Sequence, residues 1–191
     1  KLRLGRTGLM GTRTAFGVLP LQRVPMDEAV RILRKAYDYG INFYDTANSY
    51  TDSEEKLGEA FHDRRGELVL ATKTMARDAA GFCEHLDTSL RLLRTDHIDV
   101  HQFHNPSFCP RPGGEDGLYD AMLAARAQGK IRFIGITCHR LDVAWEALRS
   151  GLYDTLQYPF SYLASDEENH LVAACKASGI GFIAMKALSG G

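Results

Sequence analysis

Short apolar runs alternate with longer amphipathic stretches along the whole chain. Between Met26 and Tyr37, for example, apolar residues recur at the i, i+3, i+4 spacing of a helix, with Pro25 just before them and Gly40 just after. This alternation predicts repeated strand–helix units and therefore an α/β protein. The strands are predicted to begin near Arg13, Ile41, Leu68, His97, Ile131, Thr155 and Gly181.

The predicted strands are those of a parallel sheet. Positions 68 to 71 are apolar in succession, which is typical of a strand covered on both faces. The strands begin about 28 residues apart, so an eighth would begin near position 209, beyond the 191 residues of the chain. Two architectures fit: an open doubly wound sheet, or a β/α barrel whose last unit is missing. An N-terminal β-hairpin is predicted around Gly5–Gly8.

Composition narrows the classes of function. The chain carries 23 lysines and arginines against 24 aspartates and glutamates, a formal net charge of −1, which argues against nucleic-acid binding and polybasic membrane contact. No apolar run reaches the ~20 residues that span a bilayer, and no apolar signal core is present, so we expect a cytoplasmic protein. The length predicts one domain over residues 1–191. The four cysteines lack CxxC spacing, which predicts no metal site.

Four side chains with acid–base chemistry follow the predicted strands. Asp45, Lys73 and His104 stand at three successive strand ends, and Tyr50 lies in the loop after the first of them. Because function gathers at the carboxyl ends of parallel strands, we expect these side chains to lie together. Asp45 and Lys73 are predicted to form an ion pair. A nearby ammonium would lower the pKa of Tyr50, making it a general acid, while His104 donates a hydrogen bond to a bound carbonyl.

Other polar positions have structural interpretations. His101 and His104 are three apart on one strand and point to opposite faces, so they should not share a metal. His97 and His101 should face the covering helices. Ser53–Lys56 is typical of a capped helix start with solvated charges. Trp145 fits a core position on an amphipathic helix.

The same residues carry a resemblance to a known family. The segments 40–50 (GINFYDTANSY), 71–73 (ATK) and 99–105 (DVHQFHN) resemble the signature of the aldo-keto reductases, and the resemblance extends from the hairpin to the end of the chain. It implies a (β/α)8 TIM barrel, with the last β/α unit missing here, NADP(H) as cofactor and a small-molecule carbonyl as substrate. By position, Tyr50 would be the proton donor, Asp45 and Lys73 would tune it, and His104 would orient the substrate.

The resemblance also implies a set of cofactor-binding positions. At the fifth strand end, the family usually has a serine and an asparagine that hold the carboxamide of the cofactor. Here Thr137 keeps the hydroxyl, while Cys138 replaces the side-chain amide. Met185 falls where many members stack a tyrosine on the nicotinamide. These substitutions are similar to those of a subgroup with a ferredoxin-like C-terminal extension, which this chain lacks. The implied positions are Gly17, Thr137, Cys138, Gln157, Met185, Lys186, Leu188, Ser189 and Gly190.

Two other functions stay open at the level of sequence. One is a regulatory module that binds the cofactor in the same fold with little turnover. The other is a Schiff-base lyase that uses Lys73 or Lys186 as nucleophile. The oligomeric state is left open. If the end of the barrel is missing, residues 1–191 should retain the acid–base site but bind the cofactor weakly.

Overall fold

The computed structural model describes residues 1–188. Its strands are β1 (Leu2–Arg3), β2 (Met10–Gly11), β3 (Phe16–Gly17), β4 (Phe43–Asp45), β5 (Val69–Thr74), β6 (Ile98–His104), β7 (Ile131–Thr137), β8 (Thr155–Pro159) and β9 (Gly181–Met185). Its helices are α1 (Met26–Asp38), α2 (Ser53–Phe61), α3 (Ala79–Leu92), α4 (Leu118–Ala127), α5 (Leu141–Ser150) and α6 (Asp166–Ala177). The predicted alternation of strands and helices is confirmed.

The main sheet is parallel throughout and follows chain order. Strands β3 to β9 each pair with the next strand along the chain. A doubly wound sheet would reverse its strand order at a switch point, and none of the described pairings does so. The seven strands therefore form a curled, incomplete β/α barrel, as expected for the TIM-barrel alternative. Strands β1 and β2 form the predicted antiparallel hairpin.

Side-chain alternation along the strands separates two apolar clusters. In β5, Leu70 belongs to the larger cluster, which lies between the sheet and the helices. Val69 and Ala71 belong to the smaller cluster inside the barrel. Because successive strand residues point to opposite faces, Lys73 shares the interior face with Val69 and Ala71. The same alternation places Asp45 with Phe43. The order of apolar residues thus determines which strand-end groups meet in the barrel.

The hairpin covers the amino-terminal end of the barrel. The backbone amide of Arg6 donates to the carbonyl oxygen of Gly179 at 2.6 Å, and the Arg6 guanidinium donates to the carbonyl of Tyr153 at 2.9 Å. Gly5 has a φ of +51°, and a Cβ there would lie 2.4 Å from the backbone nitrogen of Gly181. This tight packing covers one end of the barrel and leaves the carboxyl ends of the strands for binding.

Gly58 provides a test of the helix packing around the barrel. A Cβ at Gly58 would lie 2.1 Å from the backbone oxygen of Leu92, so α2 and the end of α3 meet without room for a methyl group. We expect Gly58→Ala to lower the free energy of unfolding by about 1–3 kcal/mol, the usual cost of overpacking. Gly66→Ala is the matched control, since a Cβ there meets nothing within 4 Å. Equal midpoints of urea unfolding for the two variants would contradict the packing described here.

His101 faces the helices, as predicted. It is 0% exposed, its ring lies edge-to-face with Phe82 at a centroid distance of 5.4 Å, and neither ring nitrogen has a hydrogen-bond partner in the described part of the chain. Burial, together with a smaller effect of His85, lowers the pKa of His101 to about 3. His97 is half-buried and contacts Asp96 through its Nδ1 at 2.6 Å. Trp145 packs against the larger apolar cluster, as expected.

The buried His101 predicts a dependence of stability on pH. Below a pKa of about 6.5, the unfolded chain binds a proton at this imidazole, whereas the folded chain excludes it until about pH 3. The free energy of unfolding should therefore decrease as the pH is lowered from about 6.5 to about 3, by up to about 1.4 kcal/mol per pH unit. His101→Leu should remove this contribution. Urea unfolding of both proteins at pH 7, 6 and 5 measures it, and parallel pH profiles would refute the prediction.

Two features bear on membrane and metal binding. None of the helices in the described part of the chain is long and apolar enough to cross a membrane. Within residues 1–188, no three histidine, cysteine, aspartate or glutamate side chains are grouped so that they could hold a metal ion.

Candidate active site

Asp45 is the centre of a hydrogen-bonded cluster at the carboxyl ends of the strands. Lys73 Nζ lies 2.6 Å from Asp45 Oδ2 and also donates to the carbonyl oxygen of Thr46 at 2.6 Å. Gln102 Nε2 donates to Asp45 Oδ1 at 3.3 Å, and Gln157 Nε2 donates to Oδ2 at 3.2 Å. The side chains of Lys73 and Asp45 are only 3% and 13% exposed. The ion pair predicted from the sequence is present, and each charge offsets the desolvation of the other.

Tyr50 lies beside this ion pair, on the loop between β4 and α2. Its ring centroid is 5.3 Å from Lys73 Nζ and 5.6 Å from the ring centroid of His104. No hydrogen bond joins its hydroxyl to a residue of the described chain, so the phenol is available to a ligand. Lys73, Tyr50 and His104 are thus neighbours, as the strand-end argument predicts.

The pKa of Tyr50 is shifted in the direction opposite to the one predicted from the sequence. Burial, and to a lesser degree the carboxylate of Asp45, raise the pKa of Tyr50 to about 12. The prediction that Lys73 lowers this pKa is wrong for this structure. The Lys73 ammonium is neutralised by Asp45, whereas burial disfavours the phenolate. The phenol is therefore protonated at neutral pH, which is the form that a general acid requires.

His104 provides a neutral imidazole next to Tyr50. Burial and, secondarily, the Lys73 ammonium lower the pKa of His104 to about 4. Its Nδ1 lies 3.4 Å from Ser49 Oγ. A neutral imidazole carries one N–H, which can be donated to a carbonyl oxygen without introducing a second positive charge beside Lys73.

The start of α2 differs from the prediction made for Ser53–Lys56. The helix begins at Ser53, as expected, but Asp52 at its N-cap makes no side-chain capping hydrogen bond, so the predicted cap is absent. Glu55 is exposed, as predicted, whereas Glu54 and Lys56 are each only 1% exposed. Lys56 Nζ donates to the carbonyl oxygen of Leu21 at 2.8 Å and pairs with Asp52 at 2.7 Å. The periodicity could have indicated this burial, because both residues lie close to the apolar face of α2.

Glu54 braces the loop that carries Tyr50. Its Oε1 accepts a hydrogen bond from Thr72 Oγ1 at 2.6 Å, and its Oε2 accepts one from Asn48 Nδ2 at 3.5 Å. The backbone amide of Asn48 donates in turn to the carbonyl of Lys73 at 3.0 Å. Burial raises the pKa of Glu54, while these hydrogen bonds and Lys73 act in the opposite direction. The loop is thereby tied to the strand that supplies Lys73.

Gln102 is a further site residue that the sequence argument missed. It is 0% exposed, and its Nε2 lies within 3.3 Å of both Asp45 Oδ1 and Gln157 Oε1. Its Oε1 is buried without a partner among the described residues. Two-residue alternation could have found it, because Gln102 shares the interior face of β6 with Val100 and His104.

The side chains at the predicted cofactor positions differ in whether they face the interior of the barrel or the surrounding helices. Thr137 Oγ1 accepts from the backbone amide of Asn105 at 3.2 Å and lies at the end of β7. Gln157 has its amide turned to Asp45 and Gln102.

Cys138 is 0% exposed within the larger apolar cluster. Burial raises the pKa of its thiol to about 12. The predicted contact between the Cys138 side chain and a cofactor is therefore wrong, because strand alternation turns the thiol toward the helices.

The remaining predicted positions lie at the two edges of the sheet. Gly17 pairs with Asp45 in register, and a Cβ there would meet nothing within 4 Å. Met185 is half-buried at the end of β9, whereas Lys186 and Leu188 are exposed. Lys186 forms no ion pair with a residue between positions 1 and 188. Ser189 and Gly190 lie outside the described residues.

These positions are compatible with a nicotinamide dinucleotide. The open space at Gly17 gives access to the face of the site beside Asp45, and the buried, unpartnered Oε1 of Gln102 can accept a hydrogen bond there. Lys186, which has no ion-pair partner among residues 1–188, lies at the far edge, where its ammonium would attract a phosphate. The residues present thus fit the group, with Gln157 held as part of the Asp45 cluster.

The fold and the site define a β/α-barrel protein with an acid–base constellation at its strand ends. The sequence profile of the Aldo/keto reductase family matches residues 7–191, so the chain belongs to this family. It is 32% identical to the uncharacterized oxidoreductase YrpG of Bacillus subtilis over 98% of the chain and 66% of that protein. It is also 32% identical to L-galactose dehydrogenase of Arabidopsis thaliana, over 98% of the chain and 65% of that protein.

Solved structures agree with this assignment. The aldo-keto reductase AKR11C1 of Bacillus halodurans, in its holo form, superposes with a TM-score of 0.85 at 27% identity, over 97% of this chain and 65% of that one. The chain thus spans 65–66% of the length of these three relatives.

Proposed function

We propose that the protein is an NADP(H)-dependent oxidoreductase that reduces a small aldehyde or ketone to an alcohol, with Tyr50 as general acid. The observation that carries this proposal is the arrangement around Lys73. Its ammonium is paired with Asp45 at 2.6 Å and lies 5.3 Å from the Tyr50 ring, whose other neighbour is His104. Family membership supports the same chemistry.

Each residue has a distinct task in this proposal. Tyr50 holds the proton that the carbonyl oxygen receives, and its raised pKa keeps that proton in place until negative charge develops on the oxygen. The neutral His104 donates a hydrogen bond to the same oxygen and orients the substrate. In this proposal Lys73 positions the Tyr50 ring through its contact at 5.3 Å, and Asp45 holds Lys73 in place.

The proposed cofactor supplies a hydride to the carbonyl carbon when bound. We propose that Gly17, Thr137, Gln102 and Met185 surround its nicotinamide end and that Lys186 attracts its phosphates. NADP(H) over NAD(H), a cytoplasmic location and the single domain over residues 1–191 stay predictions.

The proposal is tested by assaying the full-length protein for carbonyl-dependent oxidation of the cofactor. Loss of absorbance at 340 nm is followed with NADPH and with NADH, using a panel of aromatic aldehydes. Transfer of deuterium from labelled NADPH to the alcohol carbon identifies the reaction. Tight NADPH binding with no transfer to any aldehyde would favour the regulatory module instead.

The Schiff-base alternative has less support in the structure. A nucleophilic lysine needs a neutral amine, whereas Lys73 donates to the Asp45 carboxylate and to the Thr46 carbonyl, both of which stabilise the ammonium. Lys186 is exposed to water rather than enclosed in an apolar pocket. Borohydride reduction followed by mass spectrometry distinguishes the two, because only the lyase would trap a substrate on lysine.

A further inference from the structure

A cleft opens beside His104, between the loop after β5 and the loop after β6. Its volume is about 480 Å³. Its walls are largely apolar and include Met75, Phe103, Phe108 and Leu118. Met75 and Phe108 are 59% and 46% exposed, so both present apolar surface to a ligand. We call this space the β5–β6 cleft; His104 lines it, and its walls offer an apolar surface to whatever is attached to a carbonyl bound at His104.

Among the residues that the structure describes, Arg77 is the one with a fixed charge that lines the β5–β6 cleft. Within the described chain, its guanidinium forms no ion pair or hydrogen bond. Two carboxylates on neighbouring loops have backbone partners: Asp78 Oδ1 accepts from the amide of Gly81 at 2.8 Å, and Asp116 Oδ1 accepts from the amide of Leu118 at 2.8 Å. The other titratable lining residue, His104, is neutral at pH 7 because its pKa is lowered to about 4. The cleft therefore combines apolar walls with a single unpaired positive charge.

The walls of the cleft are held in place, which favours selective binding. Thr74 Oγ1 contacts His85 Nδ1 at 2.8 Å and accepts from the backbone amide of Ala76 at 3.0 Å, so the chain is directed at the point where it leaves β5. On the other side, Pro106 and Pro110 restrict the loop after β6. These contacts define the backbone position of Arg77, while its exposed side chain stays free to reach a ligand in the cleft.

From this arrangement we propose that Arg77 selects carbonyl substrates that carry a carboxylate, with the carbonyl at Tyr50 and His104, the apolar middle in the β5–β6 cleft and the carboxylate on Arg77. A guanidinium and a carboxylate match in charge and in hydrogen-bond geometry. The proposal rests on the reductase function proposed above and adds the class of substrate to it.

The test compares two aldehydes that differ mainly in charge. 4-Carboxybenzaldehyde is anionic, and methyl 4-formylbenzoate is a neutral molecule of similar shape. With the full-length protein and NADPH, we expect kcat/KM to be about tenfold higher for the acid, the effect of one charge-assisted hydrogen bond. Arg77→Met should lower the acid-to-ester ratio by about the same factor, chiefly through KM, and Arg77→Lys should restore part of it. The preference should also weaken with added salt.

Arg111→Met is the matched control. Arg111 is an exposed arginine on the loop after β6 that does not line the cleft, so its replacement should leave the acid-to-ester ratio unchanged. A ratio unchanged by Arg77→Met, or lowered equally by Arg111→Met, overturns the proposal, while turnover of both aldehydes would still support the reductase.

A binding experiment separates the two proposals when turnover is absent. 4-(Hydroxymethyl)benzoate is titrated into the full-length protein and followed by ligand-observed NMR, with its methyl ester as the neutral comparison. Binding that requires Arg77, without turnover of any aldehyde, supports the anion site and rejects the reductase function. Equal binding of acid and ester rejects the anion site.

Discussion

Asp45→Ala is expected to lower the free energy of unfolding by about 3–5 kcal/mol, the cost of leaving one partner of a buried ion pair without the other. Lys73 Nζ, whose side chain is only 3% exposed, would keep the carbonyl of Thr46 as its one acceptor among residues 1–188. The amides of Gln102 and Gln157 would also lose an acceptor. Urea unfolding monitored by circular dichroism measures the loss.

Two comparisons make this prediction specific. Asp87→Ala removes a carboxylate from an exposed pair with Lys130, which has a similar length of 2.7 Å, and should cost less than about 1 kcal/mol. The double variant Asp45→Leu/Lys73→Met removes both charges and should recover a large part of the stability lost in Asp45→Ala. If Asp45→Ala were no more destabilising than Asp87→Ala, the buried Asp45–Lys73 pair would contribute no more to the free energy of unfolding than an exposed pair does.

Tyr50→Phe is expected to lower kcat/KM for carbonyl reduction by about 10²–10⁴-fold, the usual contribution of a positioned general acid. The substitution removes only the hydroxyl. Because that hydroxyl makes no hydrogen bond within the described chain, the ring contacts with Lys73 and His104 should persist, and the stability should change little. The loss is measured by NADPH oxidation at saturating cofactor.

Separate measurements exclude a general defect in Tyr50→Phe. Its NADPH dissociation constant, measured by fluorescence, should match that of the wild type, and its unfolding midpoint should be within experimental error. Tyr37→Phe is a suitable control, because it deletes another tyrosine hydroxyl, one that bonds to Glu67 on the helical side of the barrel. Full turnover by Tyr50→Phe with several aldehydes would show that another group donates the proton.

The architecture and the four acid–base residues were predictable because they depend on local periodicity. Seven parallel strands, the hairpin and the helix over Met26–Asp38 follow from the spacing of apolar residues and glycines. Asp45, Lys73 and His104 were predictable as neighbours since they stand at successive strand ends. Choosing the barrel over the doubly wound sheet needed the resemblance as well, because both architectures share the same local pattern.

The sequence by itself therefore determined the order of the elements along the chain, the end of the sheet that carries the candidate site and the acid–base residues that meet there. Only the tertiary structure decided the burial of Glu54 and Lys56, the orientation of Cys138 into the core and the raised pKa of Tyr50. The physical reason is common to all three. Desolvation and hydrogen bonding depend on atoms contributed by distant segments, such as Thr72 beside Glu54, and the sequence pattern around a residue does not specify those neighbours.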